Sequence, residues 1–214
     1  MEEVPRDDQL RLITLLCLDY KILSKIITNR LLGVMGEVVK SGQSCSVPNQ
    51  NILFGGHNIL SVIQYTEKYG GRGAVVSYDL YKAYDRVALP FLYLVMERMK
   101  FPPSFIAWIK MCHAEATTCF ILNFLTRPMD LLISVRQGDP LAMCLFLLYM
   151  EPLLVMIRSK IKGKSFLGER VHNIRLQGSV HHTPEECVTT KDSDYVDDVN
   201  LCIEDEEDLI IVAC

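Results

Sequence analysis

The chain has 214 residues, half of them apolar, which is enough to bury one substantial core or two subdomains. Its net charge of −4 excludes a protein that binds nucleic acid through a surface that is basic throughout. The charge is uneven, however. Nine of the 26 acidic residues lie in residues 192–208 without a basic residue, which leaves 17 acidic against 22 basic residues elsewhere. Outside that segment the chain is weakly basic, so nucleic acid stays among the eligible partners.

Cysteine usage indicates a reducing compartment. The eight cysteines show no Cys-x-x-Cys spacing and no signal peptide precedes them, so we expect free thiols and a nuclear or cytoplasmic location. The most hydrophobic run, Leu141 to Ile157, is interrupted by Glu151-Pro152. It is too short and too polar for a good membrane span, and we expect a buried helix and no membrane partner.

Hydrophobic periodicity predicts an α+β chain that opens with two helices. The first runs from about Asp19 to Lys40 and the second from about His57 to Tyr69, ended by Gly70-Gly71. The apolar face expected for the first helix consists of Ile22, Ile26, Ile27, Leu31 and Val34. A β-rich segment over residues 73–78 follows and runs directly into Asp79.

The remaining elements alternate between helices and short strands. In chain order they are helices over 89–99 and 103–115, strands over 117–122 and 129–135, and the long apolar helix from 141. A hairpin-like section over 166–191 comes next, then strands over 187–190 and 199–203 on either side of an acidic tetrapeptide, and a helix over 206–214.

That tetrapeptide, Tyr195-Val196-Asp197-Asp198, places two adjacent carboxylates behind an aromatic residue. Unpaired carboxylates are costly to bury, so they are not expected to fill a core. Carboxylate oxygens at the tip of a hairpin are suitable ligands for a hard cation such as Mg²⁺. Taken alone, the tetrapeptide is more typical of a solvated β-turn, because Asp-Asp pairs are common in turns.

A second acidic motif lies more than a hundred residues upstream, where Asp79 closes the first predicted strand. If this strand and the acidic hairpin are neighbours in one sheet, their carboxylates converge. Such a group can hold two Mg²⁺ ions about 3.5–4 Å apart, which activate a 3′-hydroxyl and stabilise a leaving pyrophosphate. The alternative for Asp79 by itself is an ordinary strand-end turn residue.

A third segment, residues 134–141, forms a polar turn between an apolar strand over 131–133 and the long apolar helix. Gly138 permits a backbone conformation that a side chain would block. Asp139 followed by Pro140 is a favourable helix start. Backbone N–H groups at that start, with Arg136 beside them, are suited to a phosphate or a nucleotide sugar.

In order and content, these three segments resemble the reverse transcriptases of LINE-type (non-LTR) retrotransposons. Residues 79–87 look like the family's Asp-x-x-Lys-Ala-aromatic-Asp-x-Val motif, residues 135–141 like its Arg-Gln-Gly-Asp-Pro-Leu motif, and residues 195–198 like its aromatic-x-Asp-Asp box. The resemblance extends over about residues 9–212. It implies an α+β reverse-transcriptase palm, an antiparallel sheet with packed helices. A partial fingers subdomain is expected over residues 1–70 and the palm over 71–214, truncated at the C-terminus and without a thumb.

The resemblance also assigns roles to single residues. Asp79 and Asp197 are the expected metal ligands, with Asp198 as the third carboxylate, for two Mg²⁺ ions or Mn²⁺. Residues expected to bind the nucleotide are Arg11, Tyr84, Arg136, Gln137 and Gly138, and Lys82 is expected to reach nucleic acid. Tyr84 would be the steric gate that disfavours a 2′-hydroxyl, and its alternative is a core aromatic. The alternative for Lys82 is a solvated lysine at a helix start.

The function implied is an RNA-directed DNA polymerase that extends a DNA primer on an RNA template with dNTPs. Several positions depart from the family pattern, most clearly Asp192-Ser193-Asp194, where a small apolar residue normally precedes the box. The alternative is therefore a catalytically inactive retrotransposon-derived fragment that keeps the fold and at most binds RNA weakly. A third interpretation is another palm-type nucleotidyl transferase or cyclase. The Arg-Gln-Gly-Asp-Pro segment at residues 136–140 argues against it.

Overall fold

The computed structural model describes residues 13–39, 43, 52–69, 73–121, 125–161, 164–166, 188–190, 192–195 and 198–203. Five helices and seven strands alternate along this part of the chain, which agrees with the predicted α+β class. The helices are α1 (Leu18–Val38), α2 (Ile52–Tyr69), α3 (Leu89–Arg98), α4 (Pro103–His113) and α5 (Ala142–Lys160), with a 3-10 helix over Tyr84–Arg86. The strands are β1 (Ala74–Asp79), β2 (Thr117–Thr118), β3 (Met129–Asp130), β4 (Lys164–Phe166), β5 (Val188–Thr190), β6 (Asp192–Tyr195) and β7 (Asp198–Ile203).

The chain divides into two compact units, each made of two separate stretches. One comprises Met1–Val38 with Tyr81–Met150, and the other Val39–Leu80 with Glu151–Cys214. The fingers and palm division near residue 70 stays a prediction.

In the first unit, the buried face of α1 differs from the predicted one. Its buried residues are Ser24, Ile27, Thr28, Leu31 and Met35. Ile22, Ile26 and Val34 are exposed, so the prediction was wrong for these three. The hydroxyls of Ser24 and Thr28 can be buried on this face because both donate hydrogen bonds. Thr28 donates to the Ser24 carbonyl oxygen within the helix at 2.8 Å, and Ser24 donates to a side chain from another element.

Prolines set the starts of α3 and α4. Each helix has a proline in its first turn, where the missing N–H would have no helical acceptor. Between the two helices the chain turns at Lys100, whose φ is +62°. Leu92 and Ile109 are fully buried, one from each helix. Both helices are close to the predicted bounds.

The first half of α5 supplies the largest part of the buried core in the first unit. Leu145, Phe146, Leu147 and Leu148 are all essentially inaccessible to solvent, as predicted for a core helix. By length and composition α5 is also long and apolar enough to cross a membrane, a test that core helices pass as well. In the second unit, Glu151 in this helix is buried and its carboxylate lies 3.1 Å from Arg158, which reduces the cost of burial.

The second unit is organised by an antiparallel sheet of order β1-β7-β6. Cys202 of β7 packs with Val62 and Tyr65 of α2, and Val75 of β1 adds to this cluster. A separate pair, β4 and β5, is also antiparallel. Helix α2 begins at Ile52 rather than near His57. A glycine costs a helix about 1 kcal/mol, so Gly55-Gly56 weakens this turn without ending it.

Two strand predictions were wrong. Residues 131–135 are not a strand, because the N–H groups of Ser134 and Val135 donate to the carbonyls of Val87 and Tyr84 instead of to a sheet. Residues 188–190 do not pair with the strand after the acidic box. They pair with β4, and β6 is the partner of β7. The predicted helix over 206–214 lies outside the described residues.

The observed face of α1 predicts unequal costs for two truncations in the same helix. Leu31→Ala should lower the free energy of unfolding by about 2–5 kcal/mol, because Leu31 is fully buried. Ile26→Ala should cost about 1 kcal/mol or less, because Ile26 is 49% exposed. Urea unfolding of both variants measures the difference. Equal losses of unfolding free energy in the two variants would contradict the observed burial and support the buried face predicted from the sequence.

Candidate functional site: the paired aspartates and the glycine turn

The two acidic motifs lie on adjacent strands of one sheet. β1 and β7 pair antiparallel from Ala74 with Ile203 to Asp79 with Asp198. Asp79 closes β1, as predicted, and Asp198 opens β7. Directly opposed residues of an antiparallel pair have Cα atoms about 4.5–5.5 Å apart. The condition that the two acidic motifs lie on neighbouring strands of one sheet is therefore met.

The acidic box itself is split between two strands. β6 ends at Tyr195, which pairs with Asp198, and Asp197 lies outside the described residues. The Asp79 side chain is exposed, so its carboxylate keeps its hydration and is accessible to a cation. Among the residues that the structure describes, no three metal-ligating side chains form a group. The metal roles of Asp79, Asp197 and Asp198 stay predictions.

The turn over residues 136–139 is held against the segment that precedes α1. The Thr14 N–H donates to the Gln137 carbonyl oxygen at 2.9 Å. Gly138 has a φ of +107°, and a Cβ atom there would lie 2.9 Å from the Thr14 carbonyl oxygen. Both the backbone conformation and the close approach of Thr14 require glycine. This confirms the predicted reason for Gly138.

Asp139 is the buried anchor of this turn. Its carboxylate accepts hydrogen bonds from the Tyr20 hydroxyl at 2.7 Å and from the Ser24 hydroxyl. It also accepts the Leu141 N–H at 3.0 Å, which caps the start of α5. The predicted helix start at Asp139 is thus confirmed.

Sequence reasoning missed Tyr20 and Ser24. They are four residues apart, so a helix brings them to one side, and this spacing was the available signal. It did not identify their common acceptor, which lies more than a hundred residues away in the chain.

Arg136 ties the same turn to two helices. Its Nη2 donates to the Cys112 carbonyl oxygen of α4 at 3.0 Å. Its guanidinium carbon lies 5.0 Å from the centroid of the Tyr20 ring, within cation–π range. The side chain is half-buried, so the observed contacts are structural. Its predicted contact with a nucleotide stays a prediction.

Burial determines the protonation of the groups around Asp139. Burial, followed by the hydrogen bond to Asp139, raises the pKa of Tyr20 far above its ordinary value. Burial likewise raises the pKa of the Cys112 thiol, with Asp139 adding to the effect. Burial lowers the pKa of His113, whose Nδ1 lies 2.9 Å from the Ile109 carbonyl oxygen. Tyr20 is therefore a neutral phenol that donates to Asp139 at any physiological pH.

Tyr84 joins the turn through both its backbone and its ring. Its carbonyl oxygen accepts the Val135 N–H at 3.0 Å, one residue before Arg136. Its ring stacks on Phe146 of α5 with centroids 5.0 Å apart and planes 22° apart. The core-aromatic alternative therefore has direct support. The steric-gate role stays a prediction.

Two predicted contacts remain, Lys82 and Arg11. Lys82 lies in the turn before the 3-10 helix at a φ of +50°, with its Nζ 5.7 Å from the Tyr81 ring centroid. This position resembles the predicted alternative of a lysine at a helix start. Arg11 lies outside the described residues.

Comparison with known proteins identifies the class to which these motifs belong. Residues 4–213 match the family described as reverse transcriptase (RNA-dependent DNA polymerase). The chain belongs to this family, whose members generally use divalent metal ions and bind a nucleic-acid template, a primer and dNTPs. The family expected from the three motifs is thereby confirmed.

A curated relative supports the same assignment. The chain is 33% identical over 213 residues to a Xenopus laevis protein described as a transposon TX1 uncharacterized 149 kDa protein. The match covers 96% of this chain but only 15% of that relative. A transposon relative agrees with the resemblance to retrotransposon enzymes.

The glycine turn predicts opposite effects for two glycine substitutions. Gly138→Ala should destabilise the protein by about 1–3 kcal/mol, because alanine is strained at this φ and meets Thr14. Gly33→Ala should stabilise it by about 0.5–1 kcal/mol, since Gly33 lies within α1 with nothing within 4 Å of an added Cβ. Thermal and urea unfolding measure both values. A neutral Gly138→Ala would contradict the close approach of Thr14.

Proposed function

We propose that this chain is the polymerase part of an RNA-directed DNA polymerase that transfers a nucleotide from a dNTP to a primer 3′-hydroxyl on an RNA template. The observation that carries the proposal is the register of β1 and β7, in which Asp79 is paired with Asp198. Two sequence motifs more than a hundred residues apart thus occupy opposed positions on neighbouring strands. Family membership adds support for the reaction class.

The donor set fits two Mg²⁺ ions, because carboxylate oxygens are the hard ligands that this cation prefers. Asp79 and Asp197 would hold the metals, with Asp198 as the third carboxylate. When bound, two such ions lower the pKa of the attacking hydroxyl and stabilise charge on the leaving pyrophosphate. Asp79 is exposed at its strand end, so a cation can reach it without removing a buried group.

The nucleotide would be bound by the turn over residues 136–138. Gly138 is exposed, so a nucleotide or template can reach its backbone on the side away from Thr14. Gln137 is half-exposed and offers an amide with both donors and an acceptor. Arg136 keeps further N–H donors beyond the one given to Cys112. Tyr84 would lie under the sugar and disfavour a 2′-hydroxyl.

A second candidate is a retrotransposon-derived chain that keeps the fold without polymerase activity. The observation that favours it is the position of Asp192 and Asp194 within β6, the strand that pairs with β7. Additional negative charge beside a metal-binding box changes the electrostatic balance of the site. The two candidates differ in whether nucleotide incorporation depends on the box.

The metal roles predict a large loss of activity from single carboxylate changes. On a primed RNA template with dNTPs and Mg²⁺, Asp79→Asn and Asp197→Asn should each reduce incorporation by about 10³-fold or more, because metal ligation supplies several kcal/mol to the transition state. EDTA should abolish the wild-type signal and added Mg²⁺ should restore it.

Asp130→Asn is the matched control, since it removes an exposed carboxylate from β3, outside the three motifs. It should retain wild-type incorporation. Equal incorporation by wild type and Asp197→Asn would exclude the polymerase proposal. No incorporation by the wild-type protein under these conditions would favour the second candidate.

The two alternatives for Tyr84 predict different substrate selection. If Tyr84 is a steric gate, Tyr84→Val should lower the preference for dNTP over rNTP by about 10²-fold, the range available to a shape-based pocket. Tyr84→Phe keeps the ring and its stacking on Phe146, so its preference should match the wild type. Single-nucleotide incorporation with both substrates measures the ratio. An unchanged ratio in Tyr84→Val would leave Tyr84 as a core aromatic.

A further inference from the structure

The buried carboxylate of Asp139 connects three parts of the first unit. It accepts hydrogen bonds from Tyr20 and Ser24 of α1 and from the Leu141 N–H at the start of α5. Its own N–H donates to the Arg136 carbonyl oxygen at 3.0 Å, which closes the turn. The turn between Arg136 and Asp139 therefore has one end fixed by side chains of α1.

The same stretch of chain also holds the middle of the turn. Thr14, six residues before Tyr20, donates its N–H to the Gln137 carbonyl oxygen and limits residue 138 to glycine. Arg136 adds a third restraint, because its guanidinium lies over the Tyr20 ring. Residues 14–24 thus contact each residue from Arg136 to Asp139.

These contacts use polar groups where apolar groups would form a simpler core. Ser24 is fully buried on a face that otherwise includes Ile27, Leu31 and Met35. Asp139 is 7% exposed, and a buried carboxylate is costly unless its oxygens are hydrogen-bonded. Removing the Tyr20 hydroxyl takes the donor from Oδ2, and removing the Ser24 hydroxyl leaves Oδ1 with the Leu141 N–H; a buried charge that loses a donor costs more than the bond itself contributes. These hydrogen bonds therefore favour one particular conformation of the turn, instead of only adding buried surface.

We infer that Tyr20 and Ser24 are positioning residues that act through Asp139 to hold the Gln137–Gly138 turn in the conformation that meets the incoming nucleotide. The role in nucleotide binding rests on the proposed function, whereas the restraint on the turn rests on the geometry of the first unit. The first helix then determines nucleotide affinity without itself touching the nucleotide.

The restraint is tested by amide hydrogen exchange on the full chain, with no catalysis required. Ser24→Ala and Tyr20→Phe should each speed exchange of the Val135, Asp139 and Leu141 amides by about tenfold, the factor expected for one lost hydrogen bond to a charged group. Amides within α4 should exchange at the wild-type rate. Ser24→Thr keeps the hydroxyl and should restore slow exchange at the turn.

Thr28→Val is the matched control. It removes a buried hydroxyl from the same face of α1, one turn further on, and that hydroxyl donates to the Ser24 carbonyl oxygen. Exchange at the turn should match the wild type in this variant. Wild-type exchange at the turn in both Ser24→Ala and Tyr20→Phe, or equal acceleration in Thr28→Val, would overturn the inference.

Steady-state incorporation then separates positioning from general stability. In Ser24→Ala and Tyr20→Phe the KM for dNTP should rise about tenfold while the Kd for primer and template changes less than about twofold, since only the nucleotide contact is loosened. A fall in kcat with unchanged KM would overturn the positioning role. If the wild-type protein incorporates no nucleotide, the polymerase proposal fails, whereas the exchange experiment still decides whether α1 holds the turn.

Discussion

The first unit depends on a carboxylate that cannot be left unpaired. Asp139 is buried just before α5, a helix whose first half is almost wholly buried, and an unsatisfied anion there would cost several kcal/mol. Tyr20, Ser24 and the Leu141 N–H supply the compensating hydrogen bonds. Because Tyr20 and Ser24 are distant in the chain and Leu141 is adjacent, satisfying this one side chain holds α1, the turn and the start of α5 together. The glycine turn is a consequence of this constraint, since it lies between the anchor and Thr14.

The second unit depends on a different constraint, the register of an antiparallel sheet. β7 buries Val199, Leu201 and Ile203 on one face and the smaller Cys202 on the other, so a shift of one residue would exchange these two sets. The register that buries them also pairs Asp79 with Asp198. Packing of an apolar strand thereby sets the position of the acidic motifs. Three of the nine acidic residues in 192–208 lie on these strands, Asp192 and Asp194 in β6 and Asp198 in β7.

Some elements were predictable because their signals are local. The bounds of α1, α3 and α4 follow from periodicity and from prolines in the first turn of α3 and α4. Asp79 at a strand end follows from a β-rich run that stops there. The failures have non-local causes. Residues 131–135 look like a strand, but their N–H groups donate to residues 84–87. Ile22 and Ile26 have helical spacing, but the face of α1 that is buried is the one with Ser24, which donates a hydrogen bond to Asp139.

The sequence by itself determined the family, because the three motifs occur in a fixed order with residue types that their chemistry requires. It also indicated the unusual backbone conformation at Gly138 and the start of α5, since both depend on a few neighbouring residues, whereas the close approach of Thr14 to Gly138 is a tertiary contact. Only the tertiary structure decided which residues hold these motifs in place. Tyr20, Ser24 and Thr14 contact the turn across more than a hundred residues, and the pairing of Asp79 with Asp198 spans a similar distance. Such contacts depend on how the whole chain buries its apolar surface, and no local pattern specifies that.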